Sequence, residues 1–302
     1  MTGLCTDRTV VVTGAGRGIG RAHALAFAAE GANVVVNDVG VSIDGSDAST
    51  GPAQDVVDEI RAAGGQAVAN GDDVADWEGA ERLVAAATET FGSLHVLVNN
   101  AGFLRDRMLA NLGEDEWDAV IRVHLKGHFA PLRHAVAYWR AEHKAGRTVD
   151  ARIVNTSSGA GLQGSVGQGN YSAAKAGIAG LTLVAASEFA AYGVTVNAIA
   201  PAARTRMTES AFAADMAAPE NGFDAMAPEN VSPLVVWLGS TESSDVTGRV
   251  FEVEGGIIRV AEGWRHGPCV DNGARWAPAK VGAAVRTLLA DAETPVPVYG
   301  AR

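Results

Sequence analysis

The stretch Thr9-Val10-Val11-Val12-Thr13-Gly14-Ala15-Gly16-Arg17-Gly18-Ile19-Gly20 joins an apolar run to a glycine-rich turn. Consecutive valines predict a strand that is buried on both faces of a sheet. Gly14 permits a tight turn, and Gly18 and Gly20 allow a helix to pack closely on the strand. The start of such a helix offers N–H groups and partial positive charge to a phosphate. The stretch therefore predicts a dinucleotide-binding unit, unless its glycines serve the turn alone.

The rest of the chain alternates short apolar runs with longer helical patterns. This alternation predicts a Rossmann-like, doubly wound α/β fold, with about seven parallel strands and helices on both faces of the sheet. The predicted strands are Thr9–Thr13, Asn33–Asn37, Gln66–Asn70, His95–Asn99, Ile153–Thr156, Val194–Ile199 and Val250–Val253. The predicted helices are Gly18–Glu30, Pro52–Ala63, Trp77–Phe91, Glu114–His143, Tyr171–Tyr192, Pro228–Gly239 and Ala277–Ala290.

The last strand of this pattern ends well before the last residue of the sequence. We therefore expect a single domain over residues 1–256 and a C-terminal extension over residues 257–302. The extension is either a packed or mobile terminal segment, a flap over the substrate site, or a contact between subunits.

Composition excludes several classes of function. The net charge is −11 without a cluster of Lys and Arg, so we expect no nucleic-acid partner. No apolar run reaches the roughly 18–20 residues of a membrane-spanning helix, and the N-terminus lacks a signal-peptide pattern. Cys5 and Cys269 are the only cysteines, which favours a reduced cytoplasmic compartment. No metal site is predicted.

Asp38 follows the second predicted strand. A carboxylate at this place can accept both ribose hydroxyls of a dinucleotide and repels a 2′-phosphate, so NAD is favoured over NADP. Arg17 is the opposing residue, because a cation beside the turn could bind that phosphate. The predicted contacts of the turn with the cofactor are Gly14, Arg17, Gly18, Ile19 and Gly20.

Two further segments follow strands and are predicted to contact the cofactor. Asp73 and Val74 come after the third strand, where a carboxylate can accept a hydrogen bond from the adenine amino group or cap a helix. Asn100, Ala101 and Gly102 follow the fourth strand, at the sheet edge where ligands bind in such folds. An ordinary turn after the strand is the alternative.

Tyr171 and Lys175 are four residues apart on a predicted helix and therefore share one face. The Lys175 cation is expected to lower the pKa of Tyr171, so that Tyr171 can donate and accept a proton. Lys175 is also expected to bind the nicotinamide ribose. Ser158, at the end of the fifth strand, can hydrogen-bond with a substrate oxygen, whereas Ser157 is expected to point to the other side. An ordinary surface pair of Tyr and Lys is the alternative.

In this order of motifs the chain resembles the classical branch of the short-chain dehydrogenase/reductase family. The matching positions are Thr13, Gly14, Gly18, Gly20, Asp38, Asp73, Val74, Asn99 to Gly102, Ser158, Tyr171 and Lys175. The resemblance implies an oxidoreductase that interconverts a secondary alcohol and a ketone. It also implies a homodimer or homotetramer, with subunit contacts through helices Glu114–His143 and Tyr171–Tyr192.

A closer resemblance is to the (3R)-hydroxyacyl-CoA dehydrogenase unit of peroxisomal multifunctional enzyme type 2, also known as 17β-hydroxysteroid dehydrogenase type 4. It is carried by residues 36–40, 104–107, 122–127, 200–201 and 206–208. Two positions depart from the wider family. His124 stands where many members have an Asn that completes a proton relay, and it is either part of such a relay or a core histidine. Ala202 follows Pro201 where glycine is common.

The substrate class stays open between two chemistries. An acyl-CoA carries several negative charges, which a set of arginines could bind unless these form surface ion pairs: Arg105, Arg107, Arg204 and Arg206. A steroid needs an apolar pocket, for which the candidates are Phe103, Leu162, Met207, Phe212 and Trp264. We expect a 3-hydroxyacyl-CoA dehydrogenase; a hydroxysteroid or other secondary-alcohol dehydrogenase and a non-catalytic NAD-binding protein are the alternatives.

Overall fold

The computed structural model describes residues 3–40, 51–205, 218–219 and 221–301. Its strands are β1 (Thr9–Thr13), β2 (Asn33–Asn37), β3 (Gln66–Asn70), β4 (Val96–Asn99), β5 (Ala151–Thr156), β6 (Val194–Ala202), β7 (Val250–Glu254) and β8 (Ile257–Ala261). They form one sheet in the order β3-β2-β1-β4-β5-β6-β7-β8. The chain thus moves outward from β1 to β3 and returns to β4 on the other side, which opens a crevice between β1 and β4.

The expected fold class is confirmed, with one difference in the sheet. Strands β1 to β7 are parallel, and β8 is an additional edge strand that runs antiparallel to β7. Glu254 pairs with Ile257, so the connection is a two-residue turn, in which Gly255 has a φ of 52°. The sheet therefore continues five residues past the boundary expected at residue 256.

The helices are α1 (Gly18–Ala29), α2 (Gly51–Ala62), α3 (Trp77–Phe91), α4 (Glu114–Ile121), α5 (Gly127–Lys144), α6 (Gly159–Gln163), α7 (Gly169–Phe189), α8 (Ser232–Gly239) and α9 (Pro278–Asp291). Helices α1, α2 and α8 contribute to one buried apolar cluster, and α3, α5 and α7 contribute to the other. Val10 and Val12 belong to the first cluster and Val11 to the second. Both faces of β1 are therefore covered, as the run of valines predicts.

The single helix predicted over Glu114–His143 is interrupted in the structure. A π-helical turn, Arg122–Lys126, separates α4 from α5. A π turn accommodates an extra residue without a change in composition, so apolar periodicity does not reveal it. Pro131 lies in the second turn of α5 and lacks the N–H that would bond to the carbonyl of Gly127. This irregular turn carries His124 into the core.

Helix α7 and the turn that continues it to Tyr192 are long and apolar enough to cross a membrane, by length and composition only. Its buried side packs against β5 and β6 and includes Lys175, Ile178 and Thr182. The apolar composition is thus that of a helix that covers a sheet, and it also satisfies the membrane criterion.

The segment after β8 is mostly exposed. None of the residues of α9 is buried, and the side chain of Trp264 is fully exposed in the isolated chain. Among the residues that the structure describes, Trp264 therefore lines no apolar pocket, contrary to its place among the candidates for one. The chain then returns to the domain, where Tyr299 forms a parallel bridge with Ser165.

A cluster of charges holds the amino-terminal edge of the sheet together. Asp150 accepts a hydrogen bond from Arg8 over 3.0 Å and lies 2.5 Å from a guanidinium nitrogen of Arg152. The Arg152 side chain is 1% exposed and also donates to the carbonyl of Ser240. One partly exposed carboxylate therefore neutralises two buried cations.

We expect Asp150→Asn to lower the free energy of unfolding by about 2 kcal/mol, because it leaves two buried guanidinium groups without a negative partner. Urea denaturation followed by circular dichroism measures the effect. Glu89→Gln, at an exposed carboxylate on α3, is the matched control and should change stability by less than about 0.5 kcal/mol. Equal stability of Asp150→Asn and the native chain would contradict this account.

Candidate active site

The glycine turn after β1 is built on very close backbone contacts. Gly14 has a φ of 61°, and a Cβ at this position would lie 2.7 Å from the Cα of Ala101. A Cβ at Gly20 would lie 2.2 Å from the carbonyl oxygen of Gly14. Side chains at these two positions would push β1, α1 and the end of β4 apart. The expected requirement for glycine is thus seen in the packing.

The start of α1 has the features of an anion site. Arg17 occupies the N-cap position without a side-chain capping hydrogen bond, and the first turn contains no acidic residue. By contrast, the carboxylate of Asp76 caps α3 by accepting a hydrogen bond from the N–H of Gly79 over 2.8 Å. The N–H groups around Gly18 and Ile19 are thus not engaged by a capping side chain, which fits the pyrophosphate of a nicotinamide dinucleotide.

Asp38 lies directly beside the turn. Its two carboxylate oxygens accept hydrogen bonds from the N–H of Gly16 over 2.9 Å and from the N–H of Gly40 over 2.7 Å. A Cβ at Gly16 would come within 2.8 Å of the carboxylate. These contacts fix the orientation of a half-buried acceptor, which suits the ribose hydroxyls. Arg17 is exposed nearby.

The Asp73 carboxylate is already engaged by protein groups. One of its oxygens accepts from the N–H of Ala75 over 2.8 Å, and the other pairs with Arg122 at 2.5 Å. Asp76, rather than Asp73, is the helix cap. Val74 is buried beside Gly127. Asp73 therefore holds the turn after β3 against the π turn, and an adenine contact stays a prediction.

Asn100 and Ala101 are bound to the glycine turn by side-chain hydrogen bonds. The Asn100 amide donates to the carbonyls of Thr13 and Gly14 over 2.9 and 3.2 Å. The Thr13 hydroxyl accepts from the N–H groups of Asn100 and Ala101 over 2.9 and 3.1 Å. Thr13 is a positioning residue that the sequence analysis did not single out for this role. A hydroxyl at the end of an apolar strand is its only sequence signal.

Ser158, Tyr171 and Lys175 converge at the carboxyl end of β5. Ser158 is the N-cap residue of α6, where its hydroxyl accepts from the N–H of Ala160 over 3.2 Å. It also lies near enough to the Tyr171 phenol for hydrogen bonding to act on the pKa of that phenol. Ser157 points the other way and donates to the carbonyl of Lys175 over 2.9 Å. The structure thus separates the two serines in the expected manner.

Lys175 is held beside Tyr171. Its ammonium nitrogen donates to the carbonyl of Thr156 over 2.6 Å and lies 5.5 Å from the centre of the Tyr171 ring. Burial lowers the pKa of Lys175 to about 7. A small change in the surroundings of Lys175 therefore alters the charge of its amine at neutral pH.

The Tyr171 pKa moves opposite to the expected direction. Burial raises it, and the hydrogen bond from Ser158 opposes the rise only in part. Burial also favours the neutral amine of Lys175. The positive charge that was expected on Lys175 therefore does not offset the rise that burial causes in the Tyr171 pKa. The predicted lowering by Lys175 is thus wrong for the chain by itself.

His124 is buried in the π turn and meets Tyr171 edge-on, with ring centres 5.2 Å apart. Its Nε2 lies 2.7 Å from the carbonyl oxygen and 3.1 Å from the nitrogen of Phe103. Its Nδ1 is buried and has no hydrogen-bond partner among the described residues. Burial and the nearby Lys175 lower the pKa of His124 to about 3. The imidazole is therefore neutral at ordinary pH.

A buried polar network supports this cluster, and the sequence analysis missed it. Asn99 donates to Asn155 over 3.0 Å, and Asn155 donates to Thr182 over 3.0 Å, which ties β4, β5 and α7 together. His128 accepts from the N–H of Thr156 over 3.4 Å. Polar residues at strand ends and the spacing of four between His124 and His128 were its available signals.

The candidate substrate arginines have partners in the chain. Arg107 pairs with Glu116 at 2.8 Å, Arg204 pairs with Asp224, and Arg105 lies over the ring of Phe103. Leu162 is half-buried in α6. Arg206, Met207 and Phe212 lie outside the described residues. Within the described ranges, no group of three or more His, Cys, Asp or Glu residues is arranged to hold a metal ion.

Comparison with known proteins agrees with this geometry. Residues 8–215 match the family model for short chain dehydrogenases. The chain belongs to the short-chain dehydrogenase family. It is therefore an oxidoreductase. Dehydrogenases of this family use a nicotinamide cofactor, either NAD or NADP.

Individual relatives share this sequence closely. A hydroxyacyl-CoA dehydrogenase, ChsB1, from Mycobacterium tuberculosis is 46% identical over 94% of this chain and 89% of its own length. Mouse peroxisomal multifunctional enzyme type 2 is 46% identical over 83% of this chain, which spans 32% of that longer protein. A short chain dehydrogenase from Mycobacterium avium, whose crystal structure is known, is 70% identical in sequence and covers 99% of this chain. The two structures superpose with a TM-score of 0.90.

We expect the His124 imidazole to stay neutral from about pH 5 to about pH 8, because burial holds its pKa near 3. Nuclear magnetic resonance of isotope-labelled histidines measures the titration. The His124→Asn spectrum identifies the His124 signal by its absence. A signal assigned in this way that titrates above about pH 5 would show that the ring is not desolvated as described.

Proposed function

We propose that this protein is an NAD-dependent 3-hydroxyacyl-CoA dehydrogenase, which interconverts a secondary alcohol and a ketone. The observation that carries the proposal is the convergence of Ser158, Tyr171 and Lys175 beside the crevice that begins at the glycine turn. The relative from Mycobacterium tuberculosis that matches 94% of the chain, a hydroxyacyl-CoA dehydrogenase, supports the substrate class.

Each side chain has a distinct part in the proposed chemistry. Bound NAD supplies the hydride acceptor for alcohol oxidation. Ser158 hydrogen-bonds with the substrate oxygen and orients it toward Tyr171. In ketone reduction the Tyr171 phenol donates its proton to the developing alkoxide, and in oxidation the phenolate accepts the proton of the alcohol. Protonated Lys175 stabilises the phenolate and hydrogen-bonds with the ribose.

His124 is proposed to assist this proton transfer as a neutral group. Its ring lies against Tyr171, and its Nδ1 is the atom that can hydrogen-bond with a water in a relay. Because a neutral imidazole carries one donor and one acceptor, it can replace an amide in such a chain. The alternative of a plain core histidine predicts no change in the pH dependence of turnover upon substitution.

NAD is proposed over NADP because of Asp38. Its fixed carboxylate accepts hydrogen bonds from ribose hydroxyls, and its negative charge repels a 2′-phosphate. The adenine side of the cofactor is proposed to contact Asp73 and Val74, and its ribose and nicotinamide to contact Asn100, Ala101 and Gly102. Arg17 is the residue that would favour NADP.

A hydroxysteroid or other secondary-alcohol substrate is the second candidate. The pairing of Arg107 with Glu116 and of Arg204 with Asp224 favours it, because paired cations attract the phosphates of CoA less strongly. We also propose a cytoplasmic homodimer or homotetramer. An open groove of about 500 Å³ between α5 and α7, lined in part by Phe129, Leu132 and Phe189, suits a subunit contact.

We expect Tyr171→Phe to lower kcat by about 100- to 10,000-fold, because the proton donor is removed, while NAD binding is retained. NADH formation measures kcat, and calorimetry measures NAD binding. Tyr138→Phe, on α5 beside the backbone of Leu94 that precedes β4, should leave both unchanged. Full activity of Tyr171→Phe, or a non-catalytic native chain, would contradict the assignment.

The substrate class is tested with purified protein, NAD and either a (3R)-3-hydroxyacyl-CoA or a 17β-hydroxysteroid. Turnover of the CoA ester alone supports the proposed function. Turnover of the steroid alone selects the second candidate. NAD binding without turnover of any secondary alcohol would instead indicate a binding protein.

We expect Asp38→Ala to lower kcat/KM for NAD by roughly tenfold, the effect of losing one charge-assisted hydrogen bond. The value for NADP should fall less or rise, because the repulsive charge is gone. Steady-state rates with both cofactors measure the preference. Asp72→Ala, at a carboxylate engaged with Arg82, is the control. An unchanged ratio in Asp38→Ala would contradict the role of this carboxylate.

A further inference from the structure

The segment Val298–Gly300 returns to the domain beside the proposed active site. The N–H of Tyr299 donates to the carbonyl of Gly164 over 3.1 Å, and its own carbonyl accepts from the N–H of Val166 over 2.9 Å. These two bonds form a parallel bridge to the loop between α6 and α7. The return is therefore a paired backbone contact with the loop that leads from Ser158 to Tyr171.

The bridge places the Tyr299 ring over Gly159. A Cβ built on Gly159 would lie 2.8 Å from the Tyr299 hydroxyl and 3.1 Å from the ring, and its three nearest neighbours all belong to this side chain. Gly159 directly follows Ser158, whose side chain influences the pKa of the Tyr171 phenol. The phenol of Tyr299 thus lies one residue from the group proposed to hold the substrate oxygen.

The surface around the Tyr299 ring combines exposed apolar side chains with nearby carboxylates. Tyr299 is 47% exposed, and exposed Val166 and Val298 flank it along the bridge. Burial and the carboxylates of Glu252 and Glu254 raise the pKa of Tyr299, against the opposing effect of Arg259. An apolar ligand finds contact area here, whereas the phosphates of CoA would be repelled.

The opposite side of the same loop is paired with another segment. The N–H of Arg107 donates to the carbonyl of Gly167 over 2.7 Å, and Arg107 forms a parallel bridge with Gln168. Gln168 in turn donates to Asp106 over 2.9 Å. The loop from Gly164 to Gln168 is therefore hydrogen-bonded on two sides. Its backbone bridge to Tyr299 fixes the position of that residue.

We propose that Tyr299 is a specificity-determining residue, which contacts the apolar acyl chain of the substrate where that chain passes Gly159. The proposal rests on the proposed 3-hydroxyacyl-CoA dehydrogenase activity and assigns the side of the cleft that receives the acyl group. The nucleotide of CoA then extends away from Glu252 and Glu254.

The test compares kcat and KM for (3R)-3-hydroxybutyryl-CoA and (3R)-3-hydroxyhexadecanoyl-CoA. We expect Tyr299→Ala to raise KM for the long substrate about tenfold and for the short one less than about threefold, with kcat nearly constant, because contact area with the chain is lost. Tyr299→Phe keeps the ring and should behave like the native chain. Leu289→Ala, at an exposed side chain of α9, is the control.

A second variant displaces the Tyr299 ring without changing the residue itself. Gly159→Ala adds a Cβ that displaces the Tyr299 phenol, so it should also raise KM for the long substrate selectively. In a Tyr299→Ala background the same change should add little, because the clash is gone. Equal effects of Gly159→Ala with and without Tyr299 would overturn the proposed contact.

Three outcomes separate this inference from the proposed function. A fall in the ratio of kcat/KM for the long substrate to kcat/KM for the short one in Tyr299→Ala, relative to the native chain, supports the inference. An unchanged ratio of kcat/KM for the two substrates, in a variant that thermal unfolding shows to be folded, overturns it alone. No turnover of either CoA ester by the native chain overturns the proposed function and this inference together. If Tyr299→Ala does not fold, Tyr299→Leu takes its place, both as the single variant and as the background for Gly159→Ala.

Discussion

The close backbone approach at the ends of β1 and β4 is the constraint on which the rest of the site depends. The Cα of Ala101 lies where a Cβ at Gly14 would meet it, and the carbonyl of Gly14 lies against Gly20. Thr13 and Asn100 lock this contact with hydrogen bonds between the two strands. The N-terminus of α1 is thereby aimed at the crevice where the order of strands reverses, which is the site of dinucleotide binding in such folds.

Burial, more than neighbouring charge, sets the protonation of the catalytic cluster. The same desolvation holds His124 neutral, brings the pKa of Lys175 to about 7 and raises the pKa of Tyr171. The carbonyl of Thr156 fixes the Lys175 amine at the end of β5. The cluster is thus poised so that further charge or hydrogen bonding in the cleft changes which groups carry protons.

The chemistry and the proposed specificity rest on different kinds of structure. Ser158, Tyr171 and Lys175 lie on strand and helix ends that the buried Asn99–Asn155–Thr182 network ties together. The proposed substrate contacts lie instead on loops, which are joined by short parallel bridges at Gln168 and Tyr299. Loops of this kind can vary while the rigid sheet keeps the reacting groups in place.

The sequence by itself determined the alternation of strands and helices, the glycine turn, and the order Ser158, Tyr171, Lys175, because periodicity and turn chemistry are local properties. Only the tertiary structure decided the π turn that carries His124, the edge strand β8, the pairing of Arg107 with Glu116 and the position of Tyr299 over Gly159. It also decided the direction of the Tyr171 pKa. These features depend on burial and on contacts between residues distant along the chain, which spacing alone does not encode.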